Sequence, residues 1–103
     1  MNKSLNSFLH LIKRSNVIKL GSDYLTLKNK PRLHLVLIST TISEQSKKQV
    51  INFLLSNNIP YYDVHANIFT SLYPGKSVKV MTITNKDSAR KIANLMKEGE
   101  SYE

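Results

Sequence analysis

An almost uninterrupted apolar run, Leu33-His34-Leu35-Val36-Leu37-Ile38, constrains the fold more than any other stretch of the chain. A run of this kind is typical of a β-strand that is buried on both faces. Small hydroxyl residues follow at Ser39–Ser43, and a helical pattern begins directly after them. Because ligands of open α/β sheets lie beyond the carboxyl ends of such strands, we expect a central strand at 33–38 and a functional rim at 39–43.

Helical and strand patterns alternate along the rest of the chain. Apolar residues recur at i, i+3, i+4 and i+7 in the first and last helices, and helices interleaved with strands should cover both faces of a sheet. We therefore predict an α/β fold, a three-layer α/β/α sandwich with a central sheet of about four strands. The expected strands are 17–20, 33–38, 59–64 and 78–83, and the expected helices are 5–12, one after Gly21, 44–56, 66–73 and one from Thr84 or Asn85 to Gly99.

Two of these helices have predicted caps and inward residues. Ser22 or Asp23 should cap the helix after Gly21, and its inward residues should be Tyr24, Leu25 and Leu27. Ser43 should cap the helix over 44–56, and the residues on its apolar side should be Val50, Ile51, Leu54 and Leu55.

Charge is the most informative feature of the composition. The chain has 103 residues, and its fifteen lysines and arginines oppose seven acids, for a net charge of +8. Three of those acids, Glu98, Glu100 and Glu103, fall at the carboxyl end. We predict a single domain over 1–97, followed by an acidic, disordered tail over 98–103. So basic a domain attracts polyanions and favours nucleic acid as the partner, although the charge could also serve solubility alone.

The side chains that catalysis or metal binding requires are sparse. Cysteine is absent, and the histidines His10, His34 and His65 lie in three different elements. We interpret His34 as a hydrogen-bonded core residue, because a lone histidine in a buried strand is more often structural than catalytic. The sequence therefore predicts no enzyme, no metal and no cofactor. No apolar run could cross a bilayer, so we expect a cytoplasmic protein with no membrane partner and no small-molecule substrate, and we expect a monomer.

Basic and small residues cluster better than catalytic ones do. Any single lysine among them could simply be a solvated surface residue. Three stretches, Gly21-Ser22-Asp23, Ser39–Ser43 and Tyr73-Pro74-Gly75-Lys76, could meet at one end of the sheet, where free amides at helix starts would face phosphates. Tyr73 could stack on a base or belong to the core. The predicted RNA-binding residues are Lys19, Gly21, Ser22, Asp23, Lys28, Lys30, Arg32, Thr40, Thr41, Tyr73, Pro74, Gly75 and Lys76.

Several runs, taken in order, resemble one protein family. They are Lys13–Gly21, Leu33–Ser43 with Ser46-Lys47-Lys48, Asn58-Ile59-Pro60, Phe69–Lys76 and Val80–Lys91. Their order and spacing are similar to those of the L7Ae/L30e family of ribosomal proteins, in particular its bacterial YlxQ-like branch. The resemblance extends over about Leu5 to Leu95.

This resemblance implies an L30e-like fold and binding of kink-turns or related bulged RNA. The family's contacts come from a helix start and from a loop before the last strand. Those positions match Gly21–Tyr24 and Pro74-Gly75-Lys76 in this chain. The family's Asn-Glu pair is Asp23-Tyr24 here, its Leu-Gly pair is Phe69-Thr70, and its acid after the central strand is Thr40 or Thr41.

The function that these observations predict is a non-catalytic RNA-binding protein, associated with ribosomes or with another structured RNA. Lys19, Lys28 and Lys76 would contact phosphates, and Asp23 would accept hydrogen bonds from base amino groups. The alternative is a protein-interaction module on the same fold that has lost specific RNA recognition. The two readings differ in whether the chain co-purifies with nucleic acid or with protein alone.

Overall fold

A computed structural model describes the backbone of residues 3–100 and the side chains of residues 4–97. The protein is an α/β sandwich in which one four-stranded sheet lies between two layers of helices. No helix in this range is long and apolar enough to cross a membrane. The elements are α1 (Lys3–Lys13), β1 (Ile18–Leu20), the short 3-10 helices η1 (Ser22–Tyr24) and η2 (Leu27–Arg32), β2 (Leu35–Ser39), α2 (Glu44–Ser56), β3 (Tyr61–Val64), α3 (Ala66–Leu72), β4 (Val80–Ile83) and α4 (Lys86–Glu100).

The strand order in the sheet is β1-β4-β2-β3. β4 is antiparallel to both of its neighbours, whereas β2 and β3 run parallel. All five residues of β2 are buried, which confirms the central, doubly covered strand predicted from the apolar run. This order brings the carboxyl ends of β1, β2 and β3 and the amino end of β4 to one edge of the sheet.

Alternating side chains of β2 supply two separate cores. Leu35 and Leu37 pack with α1, α3 and α4, while Val36 and Ile38 pack with α2 on the opposite face. Tyr24 and Leu25, from the η1 region, complete the second core. The predicted three-layer architecture is therefore confirmed, with α1, α3 and α4 on one face and α2 with the η1 region on the other.

The prediction of an α-helix after Gly21 is wrong, because the chain forms the two 3-10 helices η1 and η2 there. Local hydrogen bonds compete with an α-helix there: the Thr26 side chain accepts from the Asn29 amide, and the Asn29 side chain donates to the Tyr24 carbonyl. Pro31 also lacks the amide that a helix would need. Neither Ser22 nor Asp23 caps η1, whose N-cap is Gly21 and makes no side-chain cap bond. Leu27 was expected to face inward but is 70% exposed.

The other predicted elements are present, and most of them begin or end at residues other than those predicted. β2 begins after His34, whose side chain is half-buried and has no hydrogen bond among the described residues, contrary to its predicted core role. The bounds of α2 agree, but Leu55 is 62% exposed and does not join the apolar face. The Asn85 side chain accepts from the Ser88 amide and so caps α4 as predicted. α4 continues past Gly99 to Glu100, so the expected tail begins inside the helix, and 101–103 lie outside the described residues.

Candidate functional site

A groove of about 710 Å³ opens at the sheet edge where β1 and β2 end and β4 begins. Two of the three stretches predicted to converge do line it, namely Gly21–Asp23 and the Thr41–Ser43 part of the rim. Backbone hydrogen bonds hold the strands together there, because the Gly21 amide donates to the Val80 carbonyl and the Ser39 amide donates to that of Lys79. This sheet-edge groove is lined by Gly21, Ser22, Asp23, Leu25, Thr41, Ile42, Ser43, Ser46, Gln49, Val50, Phe53, Ser77, Val78, Lys79 and Val80.

Gly21 turns the chain out of β1 and into the first wall of the groove. Its φ of 90° and ψ of 155° lie in a region that side-chain-bearing residues rarely adopt. An added Cβ would meet no atom within 4 Å, so open space adjoins this backbone. A ligand can therefore approach the Gly21 main chain closely, beside the exposed side chains of Ser22 and Asp23.

The second wall follows β2 and is held by short hydroxyl contacts. The Ser39 and Thr41 hydroxyls lie 2.8 Å apart, and the Thr41 amide donates to the Ser39 Oγ over 3.2 Å. Ser43 then begins α2, with its Oγ accepting from the Ser46 amide at 3.2 Å, as its predicted capping role requires. Thr40 was predicted to contact RNA, but it is exposed outside the groove, and its amide donates to the Val64 carbonyl.

Two parts of the groove were not predicted from the sequence. The segment Ser77–Lys79 enters β4 as irregular chain and supplies Lys79, whereas 78–83 was predicted to be a strand. α2 supplies Ser46, Gln49, Val50 and Phe53, which follow the spacing i, i+3, i+4 and i+7. This spacing marks a face of α2 and is the signal that could have found these residues.

The third predicted stretch does not reach the groove. Tyr73 packs against the first core instead of standing free, with the Lys13 ammonium 4.4 Å from its ring centroid. Burial raises the pKa of the Tyr73 hydroxyl. The Lys13 ammonium also donates to the Leu72 carbonyl at the end of α3. Tyr73 is thus a structural residue, and Pro74, Gly75 and Lys76 form an exposed turn beyond it.

None of the predicted phosphate-binding cations lines the groove. Lys28, Lys30 and Arg32 are exposed on η2 and do not line the groove. Lys19 is half-buried on β1, opposite Thr82 in the sheet, with its ammonium 3.4 Å from the Asn16 side-chain oxygen. Lys47 is engaged elsewhere, in an ion pair of 3.3 Å with Asp63. Lys79 is therefore the cation that the structure adds to the groove itself.

Metal-binding chemistry is missing from the described part of the chain, where no three side chains of the types His, Cys, Asp and Glu are grouped to hold an ion. The groove's one acid is Asp23, which is exposed. Hydroxyls, an amide, one carboxylate and one ammonium around an apolar floor can bind a partly polar, partly flat ligand by hydrogen bonds and packing.

Comparisons with known proteins give information on the fold and on nothing else. No protein-family model matches the chain, and no curated protein matches it. Among solved structures, a protein with unknown function from Bacillus halodurans C is similar, with a TM-score of 0.80 and 21% sequence identity. The match covers 94% of this chain and 99% of that one.

Proposed function

We propose that this protein is a cytoplasmic, non-catalytic RNA-binding protein whose sheet-edge groove receives a bulged or kink-turn-like element of a structured RNA, with ribosomal RNA among the candidates. One observation carries the proposal. Gly21–Asp23 and Thr41–Ser43, which are distant in sequence, line a single groove at the carboxyl ends of β1 and β2. Ligands of α/β sheets bind at such edges, and the chain as a whole is strongly basic.

The chemistry of the groove suits an unstacked base. RNA is recognised in bulges and loops, where a base exposes both its flat face and its hydrogen-bonding edges. Leu25, Val50 and the half-buried Phe53 offer apolar surface for the flat face. Rim hydroxyls and the Asp23 carboxylate can bond the edge, with the carboxylate accepting from base amino groups.

Charge supports the same partner. The net charge is +8, and Lys79 in the groove is exposed. A cation that lines the groove can bind a phosphate next to a bulge and release its counterion. The resemblance of Gly21–Tyr24 to the RNA-contacting helix start of the L7Ae/L30e family points the same way.

The proposal is tested with two matched lysine variants. Lys79→Ala and Lys48→Ala each remove one exposed ammonium, but only Lys79 lines the groove, and Lys48 lies on another side of α2. The probes are a hairpin RNA with an internal bulge and the same RNA with the bulge closed. We expect Lys79→Ala to weaken binding of the bulged RNA and to lower the slope of log K against log salt by about 1. Lys48→Ala should change neither quantity.

Asp23→Asn tests base recognition through the ratio of the affinities for bulged and closed RNA. The substitution removes one negative charge, which strengthens binding of both RNAs alike, but it also replaces one acceptor oxygen with an NH2 donor, so the preference for bulged over closed RNA should fall. Equal effects of the two lysine variants, or no preference for the bulge in the unmodified protein, would refute the proposal. Co-purification with a protein and without nucleic acid would then favour the protein-interaction module.

A further inference from the structure

A line of cations runs along the exposed side of α4. Lys86, Arg90 and Lys97 are all exposed. At about 3.6 residues per turn, their spacing puts them within about 40° of one another around the helix, over about 16 Å of its length. We call these three residues the α4 basic stripe. Lys91, also exposed, lies on the neighbouring flank beside α1.

No described side chain neutralises the α4 basic stripe. None of its three side chains makes an ion pair or hydrogen bond with any residue whose side chain the structure describes. α4 also carries three acids, Asp87 near its start and Glu98 and Glu100 after Lys97. Three like charges along one helix repel one another, so an arriving polyanion gains from binding all three.

The stripe and the sheet-edge groove lie on opposite sides of the molecule. Ala89, Ile92 and Met96, on the inner side of α4, pack into the core that includes Leu35 and Leu37. The groove belongs to the other face of the sheet, which α2 covers. The protein measures 32 × 28 × 28 Å, so one ligand element in the groove cannot also cover the stripe without wrapping the molecule.

We propose that the α4 basic stripe is a second polyanion-binding surface, which takes the phosphate backbone of duplex RNA without regard to sequence. Cations aligned along one side of a rigid helix suit the phosphate backbone of a duplex, which proteins contact mainly through phosphates and 2′-hydroxyls. Binding of duplex RNA by the stripe goes beyond the proposed function of the groove and does not depend on it. If the groove on the far side binds RNA as proposed above, one protein molecule holds two RNA segments together, and this second step rests on the proposed function.

The exposed side of α4 favours RNA over a membrane surface. Helices that lie on bilayers present large apolar residues next to their cations, and these residues insert among the lipids. On α4 the exposed residues between 86 and 97 are Lys86, Asp87, Arg90, Lys91, Asn94 and Lys97. None of them is apolar, so this helix can attract anionic lipid but cannot insert into it.

The test compares two triple variants of equal charge. Lys86→Ala/Arg90→Ala/Lys97→Ala removes the stripe, and Lys28→Ala/Lys30→Ala/Arg32→Ala removes the same charge from η2, outside the stripe. The probe is a mixed-sequence RNA duplex without bulges, titrated by fluorescence anisotropy at several potassium chloride concentrations. We expect the stripe variant to bind the duplex at least about tenfold more weakly and to lose about 2–3 units of salt slope. The η2 variant should retain most of the duplex binding.

Three outcomes would contradict the stripe proposal, and a further one would separate it from the groove proposal. Equal losses in the two variants would mean that net charge, not the stripe, binds the duplex. Unchanged duplex binding by the stripe variant would overturn the inference outright, and a loss confined to vesicles of anionic phospholipid would assign the stripe to a membrane. All six residues are exposed, and circular dichroism verifies that both variants are folded. If Lys79→Ala fails to affect bulged RNA while the stripe variant loses duplex binding, the groove proposal falls and this one stands.

Discussion

The buried hydroxyl of Thr82 gives the sharpest test of the interior of the sheet. Thr82 lies in β4, is fully buried at 0% exposure, and its Oγ1 has no hydrogen-bond partner among the residues that the structure describes. Burying a hydroxyl without a partner costs about 1–3 kcal/mol by mutational measures. Valine has nearly the same shape, is equally β-branched and carries no polar group. We therefore expect Thr82→Val to raise the free energy of unfolding by about 1–2 kcal/mol.

Thr84, two residues further along, is the matched control. Its Oγ1 donates to the Val17 carbonyl over 3.1 Å. Thr84→Val removes that bond and should lower the free energy of unfolding by about 0.5–1 kcal/mol. The cost stays small because the Val17 carbonyl still accepts from the Thr84 amide at 2.8 Å. The same substitution should thus shift stability in opposite directions at two neighbouring positions.

Urea unfolding followed by circular dichroism measures both shifts. The m-value should not change, so the midpoints can be compared directly. A domain of this size moves its Tm by about 4–8 °C per kcal/mol, and thermal unfolding gives an independent reading. A lower midpoint for Thr82→Val, or shifts of the same sign for both variants, would refute the reasoning, because Thr82 Oγ1 would then have to be bonded in solution.

Three further predictions concern the groove and its surroundings. Ser43→Ala should lower the free energy of unfolding by about 1 kcal/mol, because it removes the cap of α2. In the control Ser46→Ala, the side chain that is lost accepts no bond in that cap, so the free energy of unfolding should change by less than about 0.5 kcal/mol in the same urea assay. Gly21→Ala should cost about 1–3 kcal/mol, because φ of 90° strains any side-chain-bearing residue, and Ser22→Ala beside it should be nearly neutral; equal midpoints for the two would contradict the assigned backbone geometry. Burial raises the pKa of Tyr73 above its unfolded value, so its contribution to stability is complete below that value and is lost as pH rises through the folded pKa. Tyr73→Phe should therefore show a smaller loss of stability in the alkaline range above pH ~10, and an unaltered alkaline profile would argue against the buried hydroxyl.

Elements defined by local sequence signals were predicted well. The apolar run through Ile38 identified the central strand, and Ser43 with the periodicity behind it identified α2 with its correct bounds. Both signals act through nearby residues: burial on two faces for the strand, and a capped amphipathic stripe for the helix. The alternation of these elements then sufficed for the three-layer architecture.

The region from Gly21 to Arg32 failed because side chains there bond their own backbone. Thr26 and Asn29 satisfy local amides and carbonyls, so two 3-10 helices replace the α-helix that the apolar spacing suggested. Leu27 turned outward as a result. Periodicity alone cannot weigh such local bonds against a helix.

The candidate site was only partly predictable, for a topological reason. Lys79 reaches the groove because β4 lies between β1 and β2, and the sequence does not reveal that order. Tyr73, in the loop that leads to β4, contacts the Lys13 ammonium and packs against the first core, so it does not reach the groove. Which of two neighbouring loop residues faces the ligand edge depends on contacts from distant helices, so these roles required the structure.

The strand order also has a consequence for how the protein folds during synthesis. β4 is the last strand in sequence, yet it is the partner of both β1 and β2, and Ile18 pairs with Ile83 across nearly two thirds of the chain. Until β4 has been synthesised, β1 has no neighbour and only the parallel pair of β2 and β3 can form. Assembly must therefore wait for a non-local closure, which is slow and leaves apolar strand edges exposed in a nascent chain. A fragment that ends before Val80 should accordingly behave as a substrate for chaperones rather than as a smaller domain.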